Sequence, residues 1–351
     1  MNNLDRSYQA LVFDILNNGR AKGDRTGTGT LAVFGREIRH NMADGFPLLT
    51  TKKMSLDNIK AELIWFLRGD TNIKYLVERG CNIWNGDAYK HYKTQVATYT
   101  YNVANEMGWC KGDIIDGIVI PFTMKEFIEK IKTDERFSQR WGELGPIYGK
   151  QWRDFGGVDQ IEEILDTLRN NPDSRRMMVN AWNVGELPRM TLPPCHFGFQ
   201  LYTEELTWEE RRDLLSQEDR EGFGLISPFT ERIIHIWLDH KNIPKRRISL
   251  KWYQRSVDVG LGLPYNIASY GLLLLMFANE VGMQPGELIG TLGDTHLYQN
   301  HVELIKPQLF LKPFKLPDVQ VHNGVNSDGD REDIRLWSYT SHPPITLPLS
   351  N

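Results

Sequence analysis

Between Ile267 and Val281 the chain is apolar on almost every side. A helix of that composition cannot lie on a surface, because most of its circumference must be enclosed by other elements. Its longest unbroken apolar run, Leu272 to Ala278, is far too short to cross a bilayer. What encloses it is therefore a protein core. A chain of 351 residues, 40% hydrophobic and 25% charged, can build one of the necessary size. No internal repeat, low-complexity tract or linker divides the sequence. We therefore expect one large α+β domain over residues 1–351, with two insertions at about 87–141 and 204–232.

The other elements are predicted from periodicity and punctuation. Leu4, Tyr8, Leu11, Val12 and Ile15 recur at helical spacing, and Asn18-Gly19 supplies a stop. A glycine- and threonine-rich loop, Gly23 to Thr30, leads into a strand with Leu31 and Val33 on one side. Its glycines let backbone N–H groups approach an anion, although a plain hairpin loop fits the same residues. Ile59, Leu63, Phe66 and Leu67 stripe a second helix. From Asp87 to Trp141 only Lys125–Lys132 is clearly helical. Ile161, Ile164, Leu165 and Leu168 give another amphipathic helix, halted by Asn170-Asn171-Pro172. Thr207 and Glu210 form a capping box that opens a charged helix. Ile233–Leu238 and Arg247–Trp252 are expected as strands, and Gly293–Tyr298 as the opening of a last long helix.

The stretch Leu192-Pro193-Pro194-Cys195-His196-Phe197 carries the clearest chemical signal. Two prolines fix the backbone before a cysteine, and the alternation Phe197, Phe199, Leu201 then marks a strand. The thiol is thus held at a strand mouth, either as a small core residue or as a nucleophile whose thiolate must be favoured. Glu62 sits beside an apolar helical stripe, as a surface residue or as a partly buried acid with a raised pKa. Arg25, Arg175, Arg176 and Arg255, with Ser256, stand at turns and strand ends. They form solvated faces or converge on a phosphate, for which the guanidinium fork is suited. Asn266, at the mouth of the apolar helix, either caps it or presents an acceptor and a donor pair matching N3–H and O4 of uracil. His296 and Tyr298 are candidates to bond a sugar hydroxyl.

A net charge of −4 gives no global basic field, so no nucleic acid is required as a partner and any anionic ligand must be met by local arginines. Three widely spaced cysteines, Cys81, Cys110 and Cys195, argue against a disulfide framework or a cysteine metal site. With a polar N-terminal segment and no membrane-spanning run, they lead us to expect a cytoplasmic protein (host cytoplasm if the source is viral).

Taken together these stretches resemble the thymidylate synthases. The Arg25 loop, Phe46–Lys52, Ile83-Trp84, Gly145–Trp152, Asp173–Arg176, Leu192–His196, Gln254–Asp258, Leu263–Tyr270 and Gly293–Tyr298 occur in that family's order and cover nearly the whole chain outside the insertions. The resemblance implies reductive methylation of dUMP at C5, with 5,10-methylenetetrahydrofolate as donor of carbon and hydride and without a metal. It implies Cys195 as the nucleophile, with Glu62, Tyr148, Arg255 and Asn266 as its catalytic company. Arg25, Arg175, Arg176, Arg255 and Ser256 would hold the phosphate, His196, Gln254, Asp258 and Asn266 would line the nucleotide site, and His296 and Tyr298 would bond the ribose. Lys52, Ile83, Trp84, Asp258, Leu261, Gly262, Tyr265 and Asn351 would form the folate side. A mixed β-sheet would make the interface of a homodimer, with Arg175 and Arg176 crossing it, and the C-terminal tail would close over the folate.

Three departures stand near the folate or the base. The tail ends Leu349-Ser350-Asn351, more polar than expected. Asn85-Gly86-Asp87 lies where many members carry a second tryptophan, and Tyr265 replaces the usual phenylalanine. Looser shielding would favour water over hydride, so dUMP 5-hydroxymethyltransferase is the alternative. Asn266 argues against the cytidylate relatives, which carry an aspartate there.

Overall fold

The computed structural model describes residues 2–115, 118–223, 230–322, 324–326 and 333–350. Asn2 caps α1 (Asn3–Asn18) by accepting from the Asp5 N–H, and the predicted stripe from Leu4 to Ile15 is buried. β1 (Arg20–Lys22) and β2 (Thr30–Asn41) form a hairpin about the glycine-rich loop. Ser55 caps α2 (Leu56–Leu67), which is buried almost all round, and α3 (Lys74–Glu78) follows.

From residue 85 to 141 the chain is more regular than its pattern suggests. It forms α4 (Asn85–Val96), α5 (Tyr101–Glu106), the hairpin β3 (Cys110–Ile115) and β4 (Ile118–Pro121), α6 (Met124–Thr133) and α7 (Glu135–Trp141). Aromatic rings rather than aliphatic stripes organise it. The Tyr92 ring lies 5.1 Å from Phe127 and 5.3 Å from Trp141, and this region shares one continuous core with the rest of the protein. Then come α8 (Tyr148–Arg153), α9 (Gln160–Asn170), the short edge strand β5 (Met178–Asn180) and β6 (His196–Glu205).

Beyond β6 the capping box at Thr207 and Glu210 opens α10 (Trp208–Asp213) as expected, followed by α11 (Gln217–Phe223) and α12 (Glu231–His240). The segment Ile233–Leu238, expected as a strand, is thus helical. Its β-branched residues suggest extension, but Ile234 and Leu238 are buried four apart while Ile233 and Ile236 are exposed, which is a helical period. Leu215, Phe223, Ile234 and Leu238 form a small separate core. Arg211 closes it, donating to Asp239 Oδ1 at 2.7 Å and to the Ile243 carbonyl at 2.8 Å.

β7 (Arg246–Asp258), α13 (Gly262–Val281) and β8 (Gln284–Tyr298) complete the centre. α14 (Val302–Ile305) and the hairpin β9 (Asp318–Val321) and β10 (Ile334–Trp337) follow. Gly293–Tyr298 therefore ends a long strand instead of opening a helix. The reason is pairing on both sides: β8 runs antiparallel to β2 and parallel to β7, so its backbone groups are committed to two ladders.

The main sheet has the order β1-β2-β8-β7-β6-β5, mixed because only β7 and β8 are parallel. That parallel pair needs a crossover, and α13 is the crossover. It lies on one face of the sheet with α2 and is buried as its composition demands. On the opposite face Tyr202 is 62% exposed and Lys251, Tyr253 and Ile289 are only partly covered.

Candidate active site

Cys195 stands immediately before β6, half-buried, and its backbone is held from two sides. Its N–H donates to Tyr148 Oη at 2.8 Å, and its carbonyl accepts from the Arg255 N–H at 2.9 Å. The Arg255 guanidinium donates from Nε to the Pro194 carbonyl (2.9 Å) and from Nη2 to the Pro193 carbonyl (3.0 Å), and lies over the Trp182 ring. The double-proline turn therefore owes its rigidity to a clamp from β7 as well as to its fixed φ angles. Burial pushes the thiol above its usual value; Arg255 and Arg25 pull it down, while Asp87 and Asp258 push it further up. The charge of Arg255 thus favours the thiolate, but desolvation outweighs it.

Behind the thiol lies a buried wall. The Tyr148 ring stacks on His196 at 4.3 Å and meets Phe66 at 4.8 Å. His196 Nδ1 is 2.9 Å from Tyr270 Oη, and burial lowers its pKa to about 3, so the imidazole is neutral. Glu62 projects from α2 into this wall and is only 7% exposed. Its Oε1 accepts from the Trp84 indole N–H at 2.9 Å. Burial raises the Glu62 pKa to about 7 against the smaller lowering effect of that bond. Glu62 is thus a buried acid rather than a surface carboxylate.

Asn266 lies on the second turn of α13 and does not cap it, since the N-cap position is Leu261 and has no side-chain bond. Its Oδ1 accepts from Gln254 Nε2 at 3.1 Å. Gln254 is fixed in turn by Trp252 Nε1, which donates to its Oε1 at 3.2 Å, and by the Ser256 carbonyl. This relay orients the Asn266 amide, and its NH₂ keeps two donors for an acceptor in the pocket.

Strand register brings the polar ends of three strands together. Ser256 pairs with Asp294 and Asp258 with His296 across β7 and β8, and Tyr298 pairs with Thr30 of β2, at the end of the Arg25 loop. His296 Nδ1 is 3.1 Å from Asp294 Oδ1, and its ring meets Tyr298 edge-on at 5.4 Å. In the loop, Gly27 and Gly29 have φ of 76° and 77°, which only glycine adopts freely. The Asp24 carboxylate accepts from the Thr26 N–H (2.9 Å) and the Gly29 N–H (2.8 Å). Those N–H groups are therefore spent inside the loop, and the exposed Arg25 side chain is what the loop presents. The charge of Arg25 reaches both Cys195 and Tyr298. Arg175 and Arg176 lie elsewhere. They are exposed just before edge strand β5, and among the described residues their side chains make no hydrogen bond or ion pair.

Along the rim, Ile83 is 37% exposed beside the buried Trp84. Asp258 Oδ1 accepts from the Gly260 and Leu261 N–H groups at 3.0 and 3.1 Å, so this carboxylate shapes the turn into α13 where Gly262 and the half-buried Tyr265 lie. Lys52 is buried beneath that turn, its amine donating to the Gly260 carbonyl at 2.6 Å, and burial lowers its pKa to about 8. Asn351 lies outside the described residues. Asp87 is a carboxylate of this site that sequence pattern alone does not single out. It sits in the first turn of α4, three residues after Trp84, half-buried, with its charge acting on Cys195. Its position one helical turn from Trp84 is the signal that could have found it.

The arrangement offers a thiol, pre-aimed amide donors, a buried acid of near-neutral pKa and separate cationic and apolar rims. That suits addition to a polarised ring carrying an anionic group. Among the described residues no group of three or more His, Cys, Asp or Glu side chains is placed to hold a metal ion. A family model described as thymidylate synthase matches residues 6–351. The chain is 40% identical over 345 residues to the thymidylate synthase of Mycoplasma mobile, covering 98% of this chain and 99% of that protein. It is 39% identical over 342 residues to that of Mesoplasma florum (97% and 98% covered). It is 37% identical over 353 residues to that of Listeria monocytogenes (98% and 99% covered).

Proposed function

The chain belongs to the thymidylate synthase family, and on that premise we propose how its own residues convert dUMP to dTMP. The reaction is the reductive methylation of uracil C5, a methyl transfer with 5,10-methylenetetrahydrofolate as co-substrate. The observation that carries the reading is Cys195 at a strand mouth, its backbone clamped between Tyr148 and Arg255.

C5 of uracil is a weak nucleophile until a group adds at C6. In this reading the Cys195 thiolate forms that S–C6 bond, and the ring electrons move to O4. The Asn266 NH₂, held by Gln254, and water bound by Glu62 donate to O4 as charge grows there. A donor aimed in advance is commonly worth about 3–4 kcal/mol. Arg255 favours the thiolate, opposing burial. Tyr148, with ordered water, helps remove the C5 proton, and its bond to the Cys195 N–H ties that proton path to the nucleophile. The Asp24-closed loop offers Arg25 to the phosphate, joined by Arg255 and Ser256, and His296 and Tyr298 bond the ribose.

The folate supplies the carbon unit and the hydride, and the S–C6 bond breaks as the methylated ring forms, returning the Cys195 thiolate. A flat ring with a polar edge would suit this rim, where the part-exposed Ile83 offers apolar surface and the part-exposed Asp258 a carboxylate. Ile83, Trp84, Leu261, Gly262 and Tyr265 would hold it, with Asp258 on the pterin; Lys52, buried with its amine on the Gly260 carbonyl, would support that turn from beneath instead of meeting the folate.

We further propose a cytoplasmic homodimer in which the uncovered sheet face is the interface. Two features support it: a partly apolar open face around Tyr202, Tyr253 and Ile289, and the unengaged Arg175 and Arg176, which would complete the partner's phosphate site. No helix among the described residues is long and apolar enough to cross a membrane. The test is product analysis with dUMP and methylenetetrahydrofolate. dTMP with dihydrofolate is the expected pair; 5-hydroxymethyl-dUMP with tetrahydrofolate would overturn it.

A further inference from the structure

The C-terminal segment folds back across the molecule and ends beside the site. Leu347 is buried, and the next residue, Pro348, offers its carbonyl to His301 Nε2 at 2.7 Å. A carbonyl only accepts, so Nε2 carries the proton and fixes the tautomer. His301 itself is fully buried. Its other nitrogen, Nδ1, is buried and meets no hydrogen-bond partner; the Asp258 carboxylate faces it with Oδ1 3.8 Å away. The edge of the ring lies against Tyr298, with centroids 5.5 Å apart. On the remaining side there is no slack, since a Cβ on Gly260 would come within 2.8 Å of Nδ1 and 3.0 Å of Leu347 Cδ1.

We infer that His301 is a positioning residue that latches the C-terminal tail and couples it to Asp258. One rigid ring separates the tail carbonyl from the carboxylate that shapes the turn at Gly260 and Leu261. An orphaned buried nitrogen is costly unless its surroundings demand it. Here it lies on the ring whose Nε2 proton is committed to the tail. When the tail leaves, that proton loses its acceptor and the ring is free to turn or shift against Asp258. Because the gap is filled on every side, such a shift moves the rim where the pterin is read to bind. The tail is thereby sensed at the folate side. The coupling rests on the reading of Asp258 as folate-facing, whereas the latch rests on geometry alone.

The experiment measures backbone hydrogen exchange at residues 345–350 in the full-length, ligand-free protein, then steady-state kinetics with dUMP and methylenetetrahydrofolate. His301→Phe keeps ring volume and removes the donor. His301→Gln keeps an N–H able to reach the Pro348 carbonyl. Losing one buried hydrogen bond should speed tail exchange about tenfold in the Phe variant and leave it within about threefold of wild type in the Gln variant. In the Phe variant the folate KM should rise by about tenfold with the dUMP KM within about twofold. Tail exchange unchanged in His301→Phe overturns the latch. Faster exchange with both KM values rising together overturns the coupling. Faster exchange with an unchanged folate KM overturns instead the folate-facing reading of Asp258.

Discussion

Glu62→Gln removes a buried charge while keeping an oxygen to accept from the Trp84 indole. In the folded protein burial raises the Glu62 pKa from its ordinary 4.5 to about 7. Below about pH 4.5 the carboxyl is protonated in both folded and unfolded chains, and it contributes nothing to the pH dependence. Between 4.5 and about 7 the unfolded chain releases the proton and the folded chain keeps it. The native state then binds more protons, so stability falls as pH rises across that window. At about 1.4 kcal/mol per pH unit, the accumulated cost above pH 7 is about 3 kcal/mol. The Gln variant carries none of this. Urea unfolding of both proteins, at one protomer concentration so that association is constant, should therefore give similar stabilities near pH 4.5. The curves should separate through pH 5–7 and run parallel above about pH 8, with Glu62→Gln more stable by about 3 kcal/mol. The same variant should lose about a hundredfold in kcat, because the water it orients toward O4 loses its acceptor. A stability difference that does not vary with pH would refute the burial argument.

Cys195→Ser should still bind dUMP yet lose about 10⁴-fold or more of turnover. It should also form no covalent adduct with 5-fluoro-dUMP and folate by intact-mass measurement; an adduct on the variant would remove Cys195 from its role. Asn266→Asp exchanges a donor pair for acceptors, so the kcat/KM ratio of dCMP to dUMP should rise at least about a hundredfold, and an unchanged ratio counts against base reading by this amide. Arg175→Ala should raise the dUMP KM about tenfold, as expected for one charge-assisted bond. Mixed with Cys195→Ser subunits, it should recover about a quarter of wild-type activity through heterodimers with one intact site; absence of recovery would contradict a shared site.

Several site elements were legible because their signals are local. The double proline before Cys195, the capping box at Thr207 and Glu210, and the loop glycines each act within a few residues of themselves. The same local reading failed where tertiary partners intervene. Ile233–Leu238 looks extended residue by residue, and becomes helical because a neighbouring core captures Ile234 and Leu238. Gly293–Tyr298 looks like a helix start, and stays extended because strands flank it on both sides. In the Arg25 loop the glycines were legible, but it took the folded turn to show that Asp24 consumes their N–H groups.

The amino-acid sequence alone determined that a helix apolar on almost every side must be enclosed in one large domain, that a thiol stands at a strand mouth, and which family's motif order the chain follows. Only the tertiary structure decided the state of the chemistry: a Glu62 acid near neutrality, a neutral His196, an Arg255 guanidinium tied through Nε and Nη2 to proline carbonyls, and a tail carbonyl bonded to His301. The physical reason is distance along the chain. Helical period, caps and backbone torsions are set by near neighbours, whereas desolvation and hydrogen-bond orientation come from contacts such as Glu62 with Trp84, Cys195 with Tyr148 and His301 with Pro348. Those contacts exist only once the sheet and α13 have closed around them.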